Sequence, residues 1–234
     1  KVATITSAQL KEIAETKTLK AIAVKDEKIS LVASATYTIN LPLTTMDQIF
    51  AKATAVGSTA TSVEITFDNW VVSAVKEDGK TAFVTDGTKG FAIFDQDLNL
   101  GFSVGNILSG TVACKVQLYN GFAELTALTS ATTGLNVTTG GTITTQELDA
   151  AGIAALTGIN TGSLIKINGI CSSTDSKYYV ADVQIYTSLY DFETLEVGAE
   201  YNITGIYQQY HSTKEMLPRS AEDIEETQEP LTTY

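Results

Sequence analysis

The chain has 234 residues, 44% hydrophobic and 18% charged, a folded-protein composition long enough for one large or two ordinary domains. Its 27 acids against 15 basic residues leave a net charge of −12, which repels a phosphate backbone and weighs against nucleic-acid binding. No apolar run is long enough to form a membrane-spanning helix.

Residues 1–43 are the basic end, with six lysines and four acids. The opening Lys1-Val2-Ala3-Thr4 is strand-like and carries no leader pattern, so export would mean that a targeting segment has been removed. Ser7 to Glu15 reads equally as a short helix, grouping Leu10, Ile13 and Ala14, or as a loop and strand. Thr18 to Ile39 reads as two strands around the polar turn Lys25-Asp26-Glu27-Lys28. Leu31, Ala33, Ala35, Tyr37 and Ile39 share one face and Val32 falls on the other, a period of two.

Residues 44–134 begin with Thr45-Met46-Asp47-Gln48, a capping box, followed by Met46, Ile49, Phe50 and Ala53 at helical spacing. Gly57-Ser58-Thr59 leads into five predicted strands at 63–75, 81–85, 91–95, 107–119 and 122–128. Asn120-Gly121 joins the last two as a two-residue hairpin, because both residues tolerate positive φ. Phe91 alternates with Ile93 and points to the core, as does Trp70.

Residues 135–234, with four basic and fourteen acidic side chains, repeat the pattern. Thr144-Thr145-Gln146-Glu147 is a second capping box, with Leu148, Ala151 and Ala155 as its helical stripe, before a strand from Leu164 to Cys171. Phe83-Val84-Thr85-Asp86 echoes Tyr179-Val180-Ala181-Asp182, Val104-Gly105 echoes Val197-Gly198, and Leu108-Ser109-Gly110 echoes Ile203-Thr204-Gly205, at offsets of 96, 93 and 95. A period this long signals duplicated domains. Asn69 and Gly169 are placed as equivalent bulges that bend each first strand around a closed barrel. The expected class is mainly β: an N-terminal β-hairpin segment, then two small five-stranded Greek-key barrels, each preceded by a short helix.

Val71 to Val75, Phe83 to Thr88, Val104-Gly105 and Gly110-Thr111-Val112, with the ending Met216-Leu217-Pro218-Arg219-Ser220-Ala221-Glu222-Asp223-Ile224, resemble the OB-fold modules of secreted Bacteroidetes surface proteins. The resemblance spans residues 44–226 and rests on turn and strand signatures. Thr18-Leu19-Lys20-Ala21-Ile22-Ala23 and Ser34-Ala35-Thr36-Tyr37-Thr38-Ile39 resemble the last strands of a chitobiase/β-hexosaminidase C-terminal domain. Both resemblances imply export to the periplasm or outer surface, often as a lipoprotein, and an accessory role rather than a reaction. Fold analogy does not itself give function.

Catalytic patterns are missing from the sequence. His211 is the only histidine and sits in the turn Tyr210-His211-Ser212-Thr213-Lys214, without a Gly-x-Ser-x-Gly elbow. Cys114 and Cys171 alternate with apolar residues and read as core thiols, a disulfide between them being the alternative. Asp95-Gln96-Asp97-Leu98-Asn99 begins like a calcium loop, but Leu100 and Asn106 break the pattern at positions six and twelve, leaving only a weak site at Asp95 and Asp97. Asp86, flanked by Gly87 and Gly90, reads as a turn former. Glu222, Asp223, Glu225, Glu226 and Glu229 read as a solvated tail. No cofactor or metal is called for.

The remaining lead is aromatic. OB barrels bind along their second and third strands through stacked rings. That places Phe83, Phe94 and Tyr119 of the first copy, and Tyr178, Tyr179, Tyr186 and Tyr190 of the second, as candidate ligand contacts. The expected function is non-catalytic binding of a glycan or protein by an exported tandem-barrel protein. The alternatives are single-stranded nucleic-acid binding, against the charge, and a hydrolase using a pair among the 27 acids that no motif marks.

Overall fold

A computed structural model describes residues 17–22, 24–26, 28–37 and 41–228, in two compact units, Lys1–Pro42 and Leu43–Tyr234. The Ser7–Glu15 segment, Ile39 and Glu229 lie outside the described residues.

In the first unit β1 (Lys17–Ala21) pairs antiparallel with β4 (Ala33–Tyr37), Leu19 opposite Ala35. Inside that hairpin β2 (Val24–Lys25) pairs with β3 (Lys28–Ile29) around Asp26, whose φ is 49°. The turn falls where the sequence put it, but within two tiers of pairing.

The second unit opens with α1 (Met46–Val56). The Thr45 hydroxyl accepts from the Gln48 amide while the Gln48 side chain accepts from the Thr45 amide, the reciprocal cap expected of this quartet. Met46, Ile49 and Ala53 then drop into the first core. That core is enclosed by β5 (Thr61–Val75), β6 (Thr81–Thr85), β7 (Gly90–Phe94), β8 (Ile107–Tyr119) and β9 (Phe122–Thr126). They close in the order β5-β6-β7-β9-β8 and back to β5, with only the β7–β9 pair parallel. This is OB-type connectivity, in which closure removes the unpaired edges. The short β10 (Asn136–Thr138) adds outside β8.

The second barrel repeats the topology. β11 (Gln146–Glu147) lies parallel to β12 (Leu164–Thr174) and α2 (Ala150–Ala155) follows it. β12, β13 (Lys177–Val180), β14 (Val183–Ile185), β16 (Thr213–Leu217) and β15 (Glu200–Tyr210) close in that order, again with one parallel pair, β14–β16. β17 (Ile224–Gln228) then pairs along β15.

Strand pairing aligns the two copies residue by residue. The Val72 amide donates to Asn106 and its carbonyl accepts from Gly105; Cys171 does the same with Ala199 and Gly198. From this anchor Trp70, paired with Leu108, matches Gly169, paired with Tyr201. Asn69, at φ 56° and skipped by the β8 register, is therefore an insertion with no counterpart. The expected bulge at Asn69 is present, but Gly169 does not share it: its strand pairs with β15 without a shift. Gly110 and Gly205 are not equivalent either, since Gly110 pairs with Phe67 and Gly205 with Ile165. Identical letters suggest that match, but the pairing makes Gly110 the counterpart of Ile203, two residues away from Gly205.

Two further expectations are corrected and one is borne out. The second capping box is not one: Gln146 and Glu147 extend as β11, and Asp149 caps α2 by accepting from the Gly152 amide at 2.8 Å. Aspartate reaches the N3 amide from a position next to the helix, and pairing with β12 holds the preceding residues extended. Cys114 and Cys171 are free and buried, each in its own barrel, as core thiols rather than the alternative disulfide. The acidic ending is only partly solvated: Glu222, Glu225 and Glu226 are exposed, but Asp223 is not. Asp223 is buried and takes a bidentate grip from Arg219 at 2.8 and 2.7 Å, and Glu226 accepts from the Tyr201 hydroxyl at 3.0 Å.

The barrels meet in a third apolar cluster. Ala74, Phe83, Ala92 and Phe122 of the first pack with Leu164, Ile206 and Leu217 of the second. Backbone approaches backbone at this seam. A Cβ on Gly158 would lie 1.7 Å from the Gly121 carbonyl oxygen, and one on Gly90 would lie 2.5 Å from that of Thr161. Gln146 donates to the Gly87 carbonyl at 2.7 Å, Asn160 to that of Thr88 at 3.0 Å, and the His211 amide to that of Asn120.

Candidate binding cleft between the barrels

Strand alternation decides what reaches the seam. In β7 and β9, Phe91, Ile93, Ala123 and Leu125 point into the first core, so Ala92, Phe122 and Glu124 face outward. In β16, Met216 points inward and Glu215 outward. Docking the barrels covers these outward residues, leaving a cleft of about 260 Å³. Phe94, Tyr119 and Glu124 line it from the first barrel, and Tyr186, Gln208, Tyr210 and Glu215 from the second.

These are the same positions of the duplicated unit. Ala92 pairs with Glu124 as Gln184 pairs with Glu215, which makes Phe94 the counterpart of Tyr186. Tyr119 pairs with Phe122 as Tyr210 pairs with Thr213, which makes the two tyrosines counterparts. Each glutamate also has the same partner: Gln117 donates to Glu124 at 2.7 Å and Gln208 to Glu215 at 2.9 Å. The sequence carried this signal as Gln117-x-Tyr119-x4-Glu124 and Gln208-x-Tyr210-x4-Glu215, but only Tyr119 had been singled out. Without a partner surface, an outward Gln–Glu pair looks like ordinary solvated polarity.

Burial makes the pair unusual. Glu124 is 4% and Glu215 6% exposed, and neither forms an ion pair among the described residues. Burial raises both carboxyl pKa values; the amide hydrogen bonds and Lys76, with Lys177 also acting on Glu215, pull back more weakly. Tyr119 is likewise raised, first by burial and then by the nearby Tyr210 and Glu124. A buried carboxylate held by a single amide is costly.

The other predicted residues scatter. Phe83 is fully buried in the seam, so its ring joins the barrels and cannot reach a ligand. This covers the face on which an OB barrel usually binds, because Phe83 and Ala92 come from the second and third strands. Tyr178 packs on the second core and shares a neighbouring cavity of about 260 Å³ with Tyr186 and Gln184. Tyr179 and Tyr190 are half-buried and line neither cavity.

A larger cavity of about 480 Å³ lies by the start of α1, and several of its polar groups are already engaged within the chain. Thr45 caps the helix, Asp47 holds Lys89 at 2.6 Å, and Asp86 accepts from the Thr88 and Lys89 amides at 2.9 Å each. Asp86 is thus a turn former, and its counterpart Asp182 sits at φ 62° in a two-residue turn. Asp95 likewise accepts from the Asp97 and Leu98 amides. His211 is exposed at φ 54° in its hairpin, edge-on to Tyr210.

No family model matches the chain, and neither the curated proteins nor the solved structures compared with it give a match. The reading below therefore stands on geometry.

Proposed function

We propose that the protein is a non-catalytic binding module, the accessory part of an exported surface system, and that its glycan ligand sits in the inter-barrel cleft. The supporting observation is that one cleft collects the aromatic residues Phe94, Tyr119, Tyr186 and Tyr210 with the duplicated pair Glu124 and Glu215. Rings offer flat apolar faces to a sugar, while carboxylates accept from its hydroxyls. Export is what the resemblances to secreted modules imply.

Hydrolysis fits less well. Glycoside cleavage needs two carboxyls driven to opposite protonation states by different surroundings. Here burial pushes both the same way, and both have the same kind of amide partner. Nucleic-acid binding loses its usual face to the seam and finds one lysine, Lys76, in the cleft.

The test is a glycan array with the full chain beside Tyr119→Ala/Tyr186→Ala. Binding by the parent that disappears in the variant supports the proposal. Binding that survives moves the ligand elsewhere, and saccharide turnover replaces the module with an enzyme.

A further inference from the structure

We infer that the cleft selects a protonated amino sugar, a ring whose ammonium sits between the Glu124 and Glu215 carboxylates and the surrounding aromatic faces. The inference rests on the cleft being the ligand site, and adds the charge of what enters it.

Three features carry it. First, both carboxyls are more than nine-tenths buried, yet each has just one oxygen satisfied by an amide donor. Among the described residues neither of the remaining oxygens has a hydrogen-bond partner, and neither is one of the sealed-off unsatisfied atoms, Ser73 Oγ and Ser163 Oγ. Those oxygens keep some solvent contact, and both residues line the cleft, where a donor or cation would meet them. Second, the carboxylates lack a close cation. Lys76 lines the cleft and Lys177 acts on Glu215 from nearby, but neither lysine comes within ion-pair distance of Glu124 or Glu215 among the described residues. An ammonium between the two carboxylates would supply that contact. Third, five aromatic side chains, Phe94, Tyr119, Phe122, Tyr186 and Tyr210, line the same cleft, and ring faces attract ammonium groups as well as sugar rings. The cavity of about 260 Å³ suits one ring, being smaller than drug-sized sites of roughly 300–1,000 Å³.

Binding then depends on pH. The groups facing the carboxyls are Lys76, Lys177, Tyr119, Tyr207 and Tyr210. Lysines and tyrosines keep their protons in weakly acidic solution, so the glutamates alone change there. Amine affinity should rise with pH as they ionise.

Isothermal titration of the full chain with glucosamine, N-acetylglucosamine, glucose and cadaverine tests this. The expected result is glucosamine binding roughly ten- to a hundredfold tighter than glucose or N-acetylglucosamine, the range for one charge-assisted contact. Glu124→Gln/Glu215→Gln, which keeps shape and removes charge, should abolish that preference and its pH dependence, with folding checked by circular dichroism. Equal binding of glucose or N-acetylglucosamine overturns the charge selection while leaving the cleft as a sugar site. Cadaverine binding as tightly as glucosamine overturns the sugar part. Failure of every probe, together with a blank glycan array, overturns both the selection and the site.

Discussion

Gly158→Ala is a sharp probe of the seam, because it adds one methyl group with no change of backbone preference. Gly158 does not have a positive φ, so alanine suits its backbone. The added Cβ, however, would lie 1.7 Å from the Gly121 carbonyl oxygen, 2.8 Å from its carbon and 3.1 Å from the Phe50 ring. Carbon atoms of this kind keep at least 3.0 Å, so the seam must open by 3.0 − 1.7 = 1.3 Å. Both obstructing atoms of Gly121 are backbone, in the β8–β9 hairpin, and cannot rotate away. An opening of that size forfeits about half of the dispersion across the Phe83–Leu217 cluster. Overpacking of this sort costs about 1–3 kcal/mol. At about 2–4 °C per kcal/mol for a unit of this length, melting should fall by roughly 2–12 °C. Differential scanning calorimetry measures it, with Gly152→Ala in α2 as the control, where alanine favours the helix and the nearest atom is the movable end of Leu148. Equal melting temperatures for parent and Gly158→Ala would refute the close approach.

Phe83→Ala should destabilise by about 3–5 kcal/mol, the range for a fully buried ring, and should release the barrels from each other, seen as faster proteolysis of residues 139–145 between β10 and β11. Glu124→Gln/Glu215→Gln should stabilise at neutral pH. Their folded pKa values are raised, so the folded state holds more protons between the unfolded and folded values, and stability falls as pH rises through that window. Each pKa unit of elevation amounts to about 1.4 kcal/mol per group. Urea melts from acid to neutral pH should show a flatter profile in the variant and no gain below both values; a variant less stable at neutral pH contradicts this. Asp223→Ala removes the bidentate partner of Arg219 and should lose about 1–3 kcal/mol by urea denaturation, moderated because the Arg219 side chain is 37% exposed and can rehydrate. No loss would return the ending to a solvated tail.

Local chemistry made much of this fold legible. The Thr45–Gln48 cap, the Asn120-Gly121 turn and the strands over 81–85 and 107–119 follow from rules spanning a few residues, and the long repeat marked two barrels. What stayed hidden depends on pairing and docking. Asn69 and Gly169 seemed equivalent until strand registers showed that one is inserted. Phe83 looked like a binding ring because nothing in its own strand announces a second barrel against it. Glu124 and Glu215 passed as two among many acids, since their burial arises from residues far away in sequence. Of the tyrosines placed by the expected barrel face, Tyr119 and Tyr186 line the cleft and Tyr178, Tyr179 and Tyr190 do not, because which rings meet depends on how the barrels dock.

The central claim is that the two barrels form one rigid body whose contact creates the cleft. Backbone residual dipolar couplings of the aligned protein test it most directly. The account predicts that one alignment tensor fits the couplings of β5–β9 and β12–β16 together. Two tensors of different orientation and magnitude would show barrels that tumble separately, with no lasting cleft between them.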